Sequence, residues 1–356
     1  MSEDRIKLAI QQAAVGNLNQ ETAALIREDG HKKPTEIPVF SLNWKHKVLV
    51  IDICVSKTLF GNSLMEATKE DLPLLVEKIQ NIAKQKYNII IPAEEIMWAD
   101  VWYLEYRKLV LFPVRYCLHN LLEKIHMSLA KWAQDMTKVQ YYSRAGNKGC
   151  KVALHTNGYE ICFYDKTTRA LYEGTGDDQK VYTNLLNNGY QALNYEVKLF
   201  SKGIISQQLR SVKPRHSYKF ADVFDPELCK ALLRHHWKQI EEYIPVAKSK
   251  RSTLAKSIYT AVLNGASIRD IVFKVGLDYL EQTLGNTLLK QLLVPILKKM
   301  GDKRRENQYL ALKNKRRELR HLFNSKKEYV VQQITRYLDE FKLIRLNKYG
   351  DIEGIL

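Results

Sequence analysis

The sequence predicts an α+β chain, with a largely antiparallel sheet followed by a helical C-terminal region. Three observations lead there. Runs rich in β-branched and aromatic residues recur at 47–55, 88–91, 99–111, 137–142, 151–155, 158–164 and 191–200. Helical periodicity interrupts them irregularly, without the strict alternation of a parallel βαβ sheet. From Pro226 onward the apolar spacing is helical nearly throughout.

Taken in order, residues 1–45 read as a peripheral leader. Ile6, Ala9, Ile10, Ala13 and Ala14 have helical spacing, and polar residues then lead to Pro34 and Pro38. Lys47 to Val55 is apolar and β-branched, hence a buried strand, and Gly61-Asn62 punctuates the segment after it. Leu72, Leu75, Val76, Ile79 and Ile82 mark one face of a helix over about 69–86. Leu121, Leu122, Ile125, Leu129 and Trp132 do the same for a helix from Tyr116 to Trp132. The sheet domain, 46–225, contains the strands above.

The region 226–356 forms a basic helical domain. Leu228, Ala231, Leu232 and Trp237 mark one helix, and Leu254, Ile258 and Val262 another. Short helices over 267–293 break at Gly276 and Gly285. Residues 302–321 carry eight Lys or Arg against three acids. A helix over 330–346 ends in a short strand at Leu343-Ile344-Arg345-Leu346. This pattern suits either a winged-helix-like DNA reader or a helical cap on the sheet.

The 356 residues carry a formal charge of +17 with 45% hydrophobic residues, a globular composition with a polyanionic partner. Five scattered cysteines, an odd number, fit neither a disulfide framework nor a zinc site. The first residues lack a secretory pattern and no apolar run approaches a membrane span, so the expectation is a cytoplasmic protein with no membrane partner. Neither a P-loop nor a His-hydrophobic-His pair occurs.

Alternate residues of a strand share a face. Val101, Tyr103, Glu105 and Arg107 therefore point one way, as do Glu160, Cys162 and Tyr164, and Asn194, Glu196 and Lys198. If these strands are neighbours, Glu105, Tyr164 and Glu196 converge on one face with Lys166 at its edge. A phenol beside carboxylates and an ammonium suits covalent attack on phosphate, with a divalent ion between the carboxylates. Oxygen ligands favour Mg²⁺ or Mn²⁺. The chain has 20 tyrosines, and Tyr103, Tyr106, Tyr159 or Tyr195 fits the same spacing argument.

Five segments in order carry a resemblance. They are Gly61-Asn62-Ser63-Leu64 with Asp71-Leu72; Ala99 to Tyr106; His155 to Lys166, ending Phe163-Tyr164-Asp165-Lys166; Leu193-Asn194-Tyr195-Glu196-Val197-Lys198-Leu199; and Tyr218 to Phe224 with Ala231 to Trp237. Over about 50–245 the chain resembles the replication proteins of the gene II/gene X type, the rolling-circle initiators of filamentous phages and plasmids. The resemblance implies a nuclease-like sheet domain that nicks and rejoins one DNA strand through a 5′ phosphotyrosine. It points to Tyr164 as nucleophile and to Glu105 and Glu196 as metal ligands. In the mechanism this suggests, the ion is Mg²⁺ or Mn²⁺ and Lys166 and Arg144 neutralise the phosphate, Arg144 taking part of the duty of the family arginines the chain lacks. It implies origin DNA, single-stranded or supercoiled, as partner, with a bacterial host's helicase and polymerase.

Two departures stand out. Glu105 occupies a position that is usually Asp, and Tyr103, Asn194 and Lys198 occupy positions that are usually Arg. Asp165 either orients the tyrosine or caps the strand. The competing reading is a non-catalytic origin- or operator-binding protein; a further one is a relaxase or transposase with the same chemistry.

Overall fold

The computed structural model describes residues 3–30, 37–143, 150–174, 176–244, 329–346 and 352–353. The chain divides into two units, 1–112 with 122–244 and 334–356, and 113–121 with 245–333. Of the second unit only 113–121 and 329–333 are described, helical at 118–121 and 329–333.

The first unit is built on one antiparallel sheet of eight strands. These are β1 (Glu3–Gln11), β2 (Val39–Asn43), β3 (Val48–Ile53), β4 (Asp100–Pro113), β5 (Val139–Ser143), β6 (Cys150–His155), β7 (Tyr159–Asp165) and β8 (Tyr190–Leu199). Their order across the sheet is β2-β3-β1-β4-β8-β7-β6-β5. The helices are α1 (Gln20–Asp29), α2 (Val55–Phe60), α3 (Leu72–Tyr87), α4 (Ala93–Met97), α5 (Leu118–Ala133), α6 (Lys166–Glu173), α7 (Gly176–Asn187), α8 (Lys202–Arg210), α9 (Phe220–Val223), α10 (Pro226–Glu241) and α11 (Tyr329–Glu340).

The α+β class and the antiparallel sheet agree with the sequence reading. The leader does not. Ile6, Leu8 and Ile10 are buried, and Arg5 and Lys7 point the other way, so period-2 alternation overrides the helical spacing of Ile6, Ala9 and Ile10. β1 lies between β3 and β4, inside the sheet. The expected strand at 88–91 contributes an isolated bridge, Gly16 to Ile90, and α4 follows it. α10 and the described residues after 333 fall in the same compact unit as the sheet.

Two faces give the sheet its logic. On one, Ile161, Phe163, Tyr195, Val197 and Leu199 are fully buried. Phe163 and Tyr195, opposite each other in the register, stack with centroids 4.4 Å apart. Trp237 of α10 tilts over both rings at 6.0 and 6.3 Å, and Tyr195 Oη donates to the Leu233 carbonyl at 2.9 Å. Asp225 caps α10 and Pro226 opens it, so the helix starts where its apolar stripe begins. In turn, Trp237 Nε1 donates to Thr335 Oγ1 of α11 at 2.9 Å. Leu228, Leu232, Leu233 and Trp237 thus form a stripe that covers this face, and burial of such side chains contributes roughly 1.5–3 kcal/mol each.

The other face carries charge. α6 and α7 cover part of it through Ala170, Tyr182 and Leu185, packed with Leu64, Leu109, Leu111 and Ala192. The residues after α11 are tied in by a buried ion pair, Lys108 with Glu66 at 2.6 Å. Lys108 also reaches the Lys342 carbonyl, and Ile344 N donates to Glu66. Beyond them, β9 (Arg345–Leu346) pairs with β10 (Ile352–Glu353), in line with the short strand expected there. The helix marked by Leu254, the helices of 267–293 and the basic stretch 302–321 lie outside the described residues, so the winged-helix and helical-cap readings rest on sequence alone.

His236 of α10 is 2% exposed, with ring contacts to Trp132, Tyr159 and His235. Burial, then the neighbouring His235, pulls its imidazole down to about 3. An unfolded imidazole takes up a proton below about 6.5, so stability falls as pH drops from there towards 3. His236→Phe should remove this contribution. In urea titrations the wild type should lose about 2–3 kcal/mol more than the variant between pH 7 and 4.5.

Candidate active site

β4, β8 and β7 are adjacent, and their registers place the polar residues of three strands on one face. Cys162 lies opposite Glu196, Glu160 opposite Lys198, and Tyr164 opposite Asn194. Glu105 lies opposite Arg5 of β1, and Tyr103 opposite Lys7. Val101 differs from the sequence reading. A bulge between Tyr103 and Val101 pairs Val101 with Leu8, which sends it to the apolar face.

The centre is Glu196, only 1% exposed. Its Oε1 accepts from Tyr164 Oη at 2.5 Å and from Asn194 Nδ2. Its Oε2 accepts from Cys162 Sγ at 3.1 Å and lies 3.2 Å from Lys198 Nζ. Burial pushes the carboxyl up, but the Lys198 ammonium and the hydrogen bonds from Tyr164 and Cys162 outweigh it and hold Glu196 well below the usual carboxylate range.

Lys198 Nζ also lies 3.3 Å from Glu160 Oε1 and 4.0 Å from Glu105 Oε2. Burial pulls this ammonium down; Glu196 and Glu105 more than reverse that. Glu160 is further held by Lys151 at 2.9 Å and His155 at 3.0 Å.

A cavity of about 320 Å³ opens beside these groups. Its cations are Arg5, Lys57, Lys166, Arg169 and Lys198, and its carboxylates Glu105, Glu173, Asp178 and Glu196, with Tyr164 on the wall. α6 sets the cations around the phenol. Asp165 caps that helix by accepting from Thr168 N at 3.0 Å and Thr168 Oγ1 at 2.6 Å. This answers the question about Asp165 in favour of a cap, on the helix rather than the strand. The first and fourth helical residues then return over the ring, with Lys166 Nζ 6.0 Å and the Arg169 guanidinium carbon 5.0 Å from its centroid. Lys57 is fixed by Asp178 at 2.9 Å. Asp178 also accepts from Ser63, in the turn that follows Gly61, whose φ of +71° suits glycine.

No family model, curated protein or solved structure matches the chain. The site must therefore be read from its own chemistry.

Of the expected site residues, Glu105, Tyr164, Lys166 and Glu196 line one cavity; Arg144 lies outside the described residues. The rival tyrosines separate by geometry. Tyr106 and Tyr195 are fully buried and donate to the Val223 and Leu233 carbonyls. Tyr103 donates to Glu105 at 2.8 Å, and burial with the Glu105 charge pushes its phenol well up. Tyr159 packs against His236, and burial raises its phenol too. Among these five, Tyr164 alone lines the cavity.

The expected ion is a harder fit. A carboxylate has about four lone-pair sites, and Glu196 has four partners from the chain itself. Lys198 Nζ occupies the ground between Glu196 and Glu105. Among the described residues, no group of three His, Cys, Asp or Glu is placed to hold a metal. The sequence marks Lys198 only as standing where Arg is usual, and gives no role to Arg5, Lys57 or Arg169. The Lys166-x-x-Arg169 spacing after a capping Asp165 was the available signal.

Tyr164→Phe removes one of the four partners of a buried charge. It should leave the fold intact while lowering stability by about 1–3 kcal/mol, measured by urea denaturation at neutral pH. An unchanged midpoint would show that the hydrogen bond contributes nothing to the fold.

Proposed function

We propose that the chain is a site-specific DNA nickase and strand transferase of the rolling-circle type, with Tyr164 as nucleophile. The observation that carries this reading is the 2.5 Å hydrogen bond from a cavity-wall phenol to a buried, ionised carboxylate. Phosphate binding is supported by Lys166 and Arg169 on the wall of that cavity, in a chain of net charge +17.

In this mechanism Tyr164 Oη attacks the scissile phosphorus as its proton moves along the hydrogen bond to Glu196, too weak a base to hold it except in transit to solvent. The P–O3′ bond breaks, and the 3′ oxygen leaves as a hydroxyl after taking a proton from water or Lys166. Glu196 then returns its proton to solvent. Lys166 and Arg169 oppose the charge that builds on the phosphate oxygens. Arg144 joins them, taking part of the duty of the arginines that Tyr103, Asn194 and Lys198 replace. The product is a 5′ phosphotyrosine with a free 3′ hydroxyl, the end a polymerase extends. The reverse reaction rejoins the strand without a nucleotide cofactor, because the phosphodiester bond energy is retained. No step here is routed through Mg²⁺ or Mn²⁺, since the oxygens of Glu196 are already engaged.

Origin DNA, a host helicase, a winged-helix-like reader within 226–356 and a bacterial cytoplasm complete the proposal. Their support is the resemblance and the basic stretch 302–321. A second reading has one observation in its favour: Tyr164 is 4% exposed and tied to a carboxylate whose partners are complete, as in a structural polar core. It makes the chain a non-catalytic origin- or operator-binding protein. Relaxase or transposase tasks use the same chemistry on other DNA.

The test is a denaturing gel of purified protein with labelled single strands and supercoiled plasmid from its own replicon, with Mn²⁺ or with chelator. A covalent adduct lost in Tyr164→Phe is expected. Tight, salt-sensitive binding with no adduct on the same DNA would favour the binding protein.

A further inference from the structure

We infer that Lys198 is the resident cation of the site: its ammonium takes the place a divalent ion would hold among Glu105, Glu160 and Glu196, and it keeps Glu196 aimed at Tyr164. The inference rests on the proposed role of Tyr164 only in its last clause.

Three carboxylates from three neighbouring strands meet one ammonium, at 3.2, 3.3 and 4.0 Å. Glu105, Glu160 and Glu196 are all buried, at 6%, 8% and 1% exposed. Like charges this close and this poorly solvated require a cation among them. An ammonium with three donors supplies it within the chain, and the lysine stem, fixed on β8 two residues from Glu196, cannot diffuse away. Glu160 is met by Lys151 and His155 as well, whereas Lys198 is the ammonium that touches all three carboxylates.

Glu196 is aimed by its neighbours. Lys198 and Cys162 hold Oε2, which leaves Oε1 directed at the Tyr164 phenol. Lys198 is therefore a positioning residue, acting on the phenol through Glu196. Exchanging Lys198 for an uncharged side chain leaves three buried carboxylates, all hard oxygen donors, without the cation that lies among them. The same exchange to arginine keeps the cation in place.

The experiment uses the full chain without DNA, so that it stands apart from any test of nicking. Mn²⁺ binding is measured by electron paramagnetic resonance for the wild type, Lys198→Met, Lys198→Gln and Lys198→Arg, with folding checked by circular dichroism. Lys198→Met and Lys198→Gln should bind one Mn²⁺ about 100-fold more tightly than the wild type or Lys198→Arg, the order expected when a unit charge a few ångström away is removed. Adding Glu196→Gln should abolish that site. Folded Lys198→Met or Lys198→Gln with no gain in Mn²⁺ affinity would overturn the inference.

The wild type decides between the outcomes even if both neutral variants fail to fold. The Lys198 ammonium nitrogen signal should persist unbroadened when Mn²⁺ is added. Paramagnetic loss of that signal, with binding abolished by Glu196→Gln, would place a metal at the cluster and overturn the inference directly.

Discussion

A carboxylate that is 1% exposed in the middle of a sheet sets the terms for everything around it. An ionised Glu196 without partners would cost several kcal/mol, so the fold must deliver four partners to two oxygens. Three of them come from its own strand and the next: Asn194 and Lys198 flank it on β8, and Cys162 faces it across the pair. Tyr164 completes the set from the end of β7. A slip of one residue between β7 and β8 would turn these side chains to the apolar face and bring Phe163 into the polar one. The stack of Phe163 on Tyr195 under Trp237 therefore protects the site from behind.

The strands that carry the chemistry were legible because their alternation is clean. Glu160, Cys162 and Tyr164, and Asn194, Glu196 and Lys198, could be assigned to faces from period alone, and the structure makes those strands neighbours. Two kinds of information were not legible. Competing periods misled at the start of the chain, where Ile6, Ala9 and Ile10 spell a helix while Ile6, Leu8 and Ile10 spell a strand. Only the company of β3 and β4 decides between them. Long-range pairing was the other gap. Nothing local says that Arg5 meets Glu105, or that Asp178 fixes Lys57 beside Tyr164. The bulge that sends Val101 to the apolar face is likewise a property of two strands.

The partition of charge is what ties structure to the proposed chemistry. On the wall, Lys166 and Arg169 ride on a short helix whose register is set by the Asp165 cap, so they stand over the phenol. Beneath it, Lys198 is committed to carboxylates and is not available to a ligand. The site thus separates cations that would meet a phosphate from the cation that holds the acceptor of the phenol proton.

The central claim is that one phenol among the 20 tyrosines attacks DNA. The most direct measurement is mass spectrometry of the wild-type protein after reaction with cognate single-stranded DNA, nuclease trimming and proteolysis. The account predicts a nucleotide phosphate on the peptide containing Tyr164, with fragment ions assigning it to that residue. A modified Tyr103, Tyr159 or Tyr195, or a reacted sample in which every tyrosine is unmodified, would contradict it.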